Sequence, residues 1–131
     1  LQRQNAVRKA GDLIRDFAIQ PPNPAIQARQ LSGGNLQKLV LAREFFRRPR
    51  LIVAEQPTQG LDIAAMEDIW NLLLKARERA GILLVTGDLT EALMLADRLA
   101  VMFDGRIVDT FAADDSSKIE HIGLLMAGST P

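Results

Sequence analysis

Between Leu31 and Asp62 the chain reads LSGGNLQK and then LIVAEQPTQGLD, a glycine pair opening a helix and, one helix later, an apolar strand ending in an acid and a tight turn. A serine and two glycines ahead of a helix offer backbone N–H groups, a hydroxyl and the positive end of a helix dipole, all suited to holding phosphate oxygens. The strand delivers carboxyl and amide side chains to its C-terminal end, where open α/β sheets keep their ligands. Leu51 to Ala54 is continuously apolar, the pattern of a strand buried in a parallel sheet. Neither piece alone carries a function, but both suit an α/β fold.

The remaining pattern agrees. Leu1 to Ala18 carries Val7, Ala10, Leu13, Ile14 and Phe17 at amphipathic helical spacing, a face for packing. Three prolines between Gln20 and Pro24 force an extended or turning connector. Leu36 to Arg47 reads as a helix with too many apolar residues for one narrow stripe, and should be largely buried. Arg43, Arg47 and Arg48 gather toward its C-terminal end, where cations suit the dipole, and Pro49 stops it. Asp62 caps the next helix, Ile63 to Arg79, whose inward face is Met66, Ile69, Trp70, Leu73 and Ala76, with Gly81 ending it. Ile82 to Thr86 is a second strand, Thr90 to Ala96 a short helix and Leu99 to Phe103 a third strand. Asp104-Gly105 is a strong hairpin signal, making Arg106 to Thr110 an antiparallel partner. Strands alternating with helices mean an α/β sheet, finished by a hairpin. Ser116 or Ser117 caps a last helix with Ile119, Ile122, Leu125 and Met126 on one face, before a fraying Gly-Ser-Thr-Pro tail.

Bulk properties exclude several classes. A chain of 131 residues suits one structural unit with a sizeable core. Its 16 basic and 16 acidic residues balance, which argues against a nucleic-acid partner. Cysteine is absent, so disulfides and thiolate metal sites are excluded. No apolar run approaches a membrane span and nothing resembles a signal peptide, so any membrane contact runs through a partner. His121 is the single histidine, with no second ligand visible beside it.

In this order and spacing, LSGGN with Gln37-Lys38 and LIVAEQ closely resemble the signature sequence and Walker B segment of ABC-transporter ATPases. The resemblance covers Ala28 to Phe111 and implies a partial P-loop-type ABC ATPase domain. Residues 1–47 correspond to a helical subdomain with the signature sequence, 48–111 to Walker B, D-loop and the later strands of a mainly parallel sheet, and 112–131 to a C-terminal helix and tail. No GxxxxGK[ST] run occurs in the sequence. The expectation is therefore the second half of a nucleotide-binding domain from a longer protein, inactive as an isolated fragment.

What the resemblance implies residue by residue is as follows. Ser32, Gly33, Gly34 and Asn35 reach across a head-to-tail dimer to the γ-phosphate held by a second nucleotide-binding domain, in the same chain of the full protein. Glu55 stands at the magnesium position on a side chain one methylene longer than the family's aspartate, serving through water. Gln56 occupies the catalytic glutamate position, where an amide orients water but cannot take its proton. Gly87 stands at the histidine that would contact the γ-phosphate. Gly60, Leu61 and Asp62, with Pro57 and Thr58, match the D-loop along the dimer interface. ATP and Mg2+ are the implied cofactors of the full-length protein.

LSGGNLQK with the PTQGLD turn is most similar to the second domain of tandem sugar and nucleoside importer ATPases. The implied function is an ATP-binding, energy-coupling ATPase subunit with an intact signature acting in trans and a weakly hydrolytic site of its own. Integral-membrane permease subunits, and indirectly a solute-binding protein, are the implied partners, with a peripheral cytoplasmic location on the inner face of the cell membrane. Alternatives are a nucleotide-gated ABC ATPase in DNA repair or on ribosomes, and a non-catalytic structural half. The proline-broken Gln20–Pro24 segment shows no coiled-coil heptads, and the neutral charge shows no basic linker.

Overall fold

A computed structural model describes residues 2–129 and gives six α-helices, a short 3-10 turn and four strands among them. Leu1, read as the start of the first helix, and Thr130 and Pro131 of the tail lie outside the described residues. The chain divides into two compact units, one ending at Val85 and one beginning at Thr86.

In the first unit, α1 spans Gln2–Asp16 and α2 spans Gly33–Phe46. The proline connector between them holds no regular element before a 3-10 turn at Ala28–Gln30. Phe17, just past α1, meets Phe45 of α2 edge-on, their ring centroids 5.8 Å apart, and Lys9 Nζ stands 5.7 Å from the Phe46 ring centroid. Both contacts are favourable aromatic geometries. No α1 residue is fully buried and Val7 is exposed, so its apolar face is half-covered. The expected burial of α2 is corrected as well. Leu41 and Ala42 are buried, whereas Leu36, Val40 and Phe46 are exposed.

Pro49 follows the helix as expected, after Arg47 at the cap and Arg48 with φ 50°. Strand β1, Leu51–Glu55, pairs in parallel with β2, Gly81–Val85, through α3, Ile63–Ala76. Helix α3 ends earlier than expected. Gly81 does not close it but opens β2, its N–H bonded to the Arg50 carbonyl at 2.9 Å. Ile69 and Leu73 on α3 are the most buried side chains of this unit, with Trp70 beside them partly covered. Ile52 and Ala54 point inward from β1. Leu51, Val53, Leu83 and Val85 share the opposite face at 62%, 63%, 55% and 46% exposure. The apolar run thus forms a parallel strand with one open face instead of two covered ones.

In the second unit, α4 (Leu89–Leu95) precedes a hairpin of β3 (Arg98–Phe103) and β4 (Arg106–Ala112). Asp104 and Gly105 both have positive φ, 46° and 72°, the signature of a type I′ turn. A register shift after Val101 marks a bulge. The strands form two two-stranded sheets, one parallel and one antiparallel. Leu99, Val101, Phe111, Ile122 and Leu125 make this unit's core. The expected single last helix is two short ones, α5 (Ser116–Ile119) and α6 (Ile122–Met126). The cap of α5 is Asp115, not Ser116 or Ser117: its carboxylate accepts the Lys118 N–H and the Ser117 hydroxyl. Ile122 and Leu125 face inward, while Met126 is exposed. Among the described residues no helix is long and apolar enough to cross a membrane.

Candidate functional site

Ser32 is extended, at φ −62° and ψ 160°, and is the N-cap of α2. Its Oγ accepts the Asn35 backbone N–H at 3.4 Å and the Asn35 side-chain Nδ2–H at 2.9 Å. Asn35 Oδ1 in turn accepts the Gln20 N–H at 2.7 Å, a tie that no local sequence pattern signals. Gly33 and Gly34 are the first two helical residues, whose N–H groups have no intrahelical acceptor.

Gly34 has a second reason to be glycine besides open backbone. A Cβ built on it would lie 2.7 Å from the Ala65 Cβ on α3, closer than real carbon atoms approach, whereas one on Gly33 would meet Leu61 Cδ2 at an ordinary 3.5 Å. The Ser32–Asn35 segment therefore lies beside the turn that leads into α3. Pro57 and Thr58 are buried in that turn, and Asp62 closes it by accepting the Ala65 N–H at 2.9 Å as the N-cap of α3.

Glu55 ends β1 with its side chain on the open face of the strand pair. Among the described residues its carboxylate has no hydrogen-bond or ion-pair partner. An exposed, unspent carboxylate at a strand end fits a cation reached through water. Among those same residues no three His, Asp or Glu side chains cluster as a metal site. Gln56 is exposed and holds the left-handed conformation at φ 47°, its N–H donating to the Val85 carbonyl at 2.8 Å. Its amide can orient a water molecule but not act as a base. Gly87 lies in the second unit, exposed in the turn before α4. That turn is built by Asp88, which donates its N–H to Thr86 Oγ1 at 3.0 Å and caps α4 through the Glu91 N–H at 3.1 Å.

No protein-family model matches the chain. Over 131 residues, 99% of its length, it is 40% identical to a guanosine import ATP-binding protein of Bacillus subtilis. Over 102 residues, 77% of its length, it is 47% identical to a glucose import ATP-binding protein of Haloferax volcanii. Its fold superposes with a TM-score of 0.69 on a dimeric ATP-binding cassette bound to ADP and Pi, at 27% identity over 81% of the chain. The chain belongs to the ABC-transporter ATP-binding proteins. It spans 26% of the Bacillus protein, 18% of the Haloferax protein and 46% of the solved cassette. The Bacillus relative is a nucleoside import protein and the Haloferax relative a sugar import protein.

Proposed function

We propose that the chain is the later part of the second cassette in a tandem import ATPase, for a nucleoside or a sugar. Ser32, Gly33, Gly34 and Asn35 act in trans on the γ-phosphate of ATP held by the other cassette, across a head-to-tail interface along which Gly60, Leu61 and Asp62 run. Glu55 serves the cassette's own Mg2+ through water. Gln56, unable to take a proton, and Gly87, lacking a side chain for the γ-phosphate, leave that site binding ATP but hydrolysing it slowly. Closure of the two cassettes is passed to permease subunits supplied by a solute-binding protein, with the ATPase peripheral on the cytoplasmic face.

The observation that carries this reading is the Ser32-capped start of α2 lying beside the turn into α3, in a chain similar to nucleoside and sugar import proteins. The amide at Gln56 and the bare Gly87 also favour a second reading, a cassette half that never hydrolyses ATP and only gates closure. Ser32→Arg in the full protein tests the first reading. A guanidinium stem at the helix start blocks phosphate approach, so ATP should no longer produce the compact, closed form in small-angle scattering. Persistence of that form would overturn the trans role.

A further inference from the structure

Lys38 and Asp68 have been given no role of their own so far, yet they join the helix that follows Ser32–Asn35 to the helix that follows Gly60–Asp62. Lys38 sits one turn beyond Asn35 on α2. Its side chain is only 12% exposed, and Nζ lies 2.7 Å from Asp68 Oδ2 on α3. A lysine that surrenders most of its hydration needs a charged partner to compensate. Asp68 is one turn beyond Ala65, the residue against which Gly34 packs. The contacts Gly33 to Leu61, Gly34 to Ala65 and Lys38 to Asp68 thus advance together along both chains. From their capped starts at Ser32 and Asp62, α2 and α3 run side by side in the same direction.

Gly34 and Ala65 make one close contact between small residues, and a single contact point leaves the helices room to pivot or shift about it. A single ion pair, half shielded from water, singles out one register, because any slip strands a lysine that has lost its water. We infer that Lys38 and Asp68 are a positioning pair that locks α2 to α3, so that Ser32–Asn35 and Gly60–Asp62 meet the partner cassette as one rigid element. The inference rests on the trans role of Ser32–Asn35 proposed above. Lys38 touches no nucleotide; it acts by holding the groups that would.

The test uses the full protein and its ATPase kinetics. Lys38→Met keeps the apolar stem and removes the charge. The apparent KM for ATP should rise roughly three- to tenfold, because closure is driven by ATP shared between cassettes, while kcat at saturation stays within about twofold. Asp68→Asn, on the more exposed partner, should give the same split. Lys38→Arg should restore KM, and so should the exchange Lys38→Asp with Asp68→Lys in large part. An unchanged KM, or a loss of kcat and thermal midpoint that the exchange does not rescue, overturns the positioning role. Ser32→Arg run alongside separates the two ideas: if it abolishes closure while Lys38→Met leaves KM alone, only the pair is refuted. If closure survives Ser32→Arg, the trans role and the inference fall together.

Discussion

Asn35 holds Gln20: its Oδ1 accepts the Gln20 backbone N–H at 2.7 Å, fastening the proline connector to the first turn of α2. Because its Nδ2 also donates to Ser32 Oγ, one side chain orders the serine and anchors the segment before it. Asn35→Ala should cost about 1 kcal/mol of stability, the usual net value of a lost hydrogen bond at an accessible site. The same change should weaken ATP-driven closure in the full protein. Thermal denaturation and scattering, measured together, check both halves.

Gly34→Ala should drive α2 away from α3, since the new methyl would stand 2.7 Å from the Ala65 Cβ. Overpacking of this kind costs roughly 1–3 kcal/mol. Ala65→Gly in the same chain should restore most of the loss, and chemical denaturation of the two single variants and the double variant measures the rescue. A double variant no more stable than Gly34→Ala alone would show that the close approach is not what excludes a side chain there.

Gln56→Glu should raise ATP turnover of the full protein while nucleotide affinity changes little. A carboxylate at this strand end can accept the proton that an amide only orients. Steady-state hydrolysis and equilibrium nucleotide binding read the two quantities separately, and unchanged or lower turnover counts against the assignment of this position.

The second unit carries a pH-sensitive tie between α5 and β4. Lys118 Nζ lies 2.6 Å from Asp109 Oδ2, and this bond, aided by the Thr110 N–H, holds the Asp109 carboxyl below its usual range. The Ser117 hydroxyl first, then the Lys118 N–H, lowers Asp115, while Asp109 raises Lys118. Depressed carboxyls add stability that is present above their unfolded value and lost as pH falls through it toward the folded one. The raised lysine adds stability present below its unfolded value and lost as pH rises past it. The tie should therefore hold from about pH 4 to about pH 10 and fail outside that window. The protection of the α5 amides, their exchange rate taken relative to the intrinsic rate at each pH, should fall between about pH 6 and about pH 3 more steeply in the native chain than in Lys118→Met.

Much of this was legible beforehand, for reasons that can be stated residue by residue. Apolar runs at Leu51 and Ile82 and the Asp104-Gly105 turn are local signals, and each strand formed where they stood. Asp62 was found as a cap because a single acid preceded an apolar-periodic segment. Asp115 was missed because four consecutive residues, Asp114 to Ser117, can all cap, and which one does depends on the turn and not on residue type. The burial of α2 is not legible in this way: counting apolar residues cannot tell a covered side from an exposed one, as at Leu36 and Phe46. Gln56 gave no hint of its left-handed backbone, since that conformation is imposed by the Val85 carbonyl and the following proline turn. In the sequence Gly34 signals open backbone for a group approaching from outside, whereas its contact with Ala65 is a constraint from within.

The open face of the β1–β2 pair also bears on how the chain behaves as a substance. Four large aliphatic side chains lie in two adjacent rows across a ribbon of two strands, and among the described residues no further strand pairs with either of its edges. Stickiness and hydrogen-bonding capacity therefore coincide on one surface. A chain with such a surface should self-associate through it, and a covering polypeptide would act on that same face.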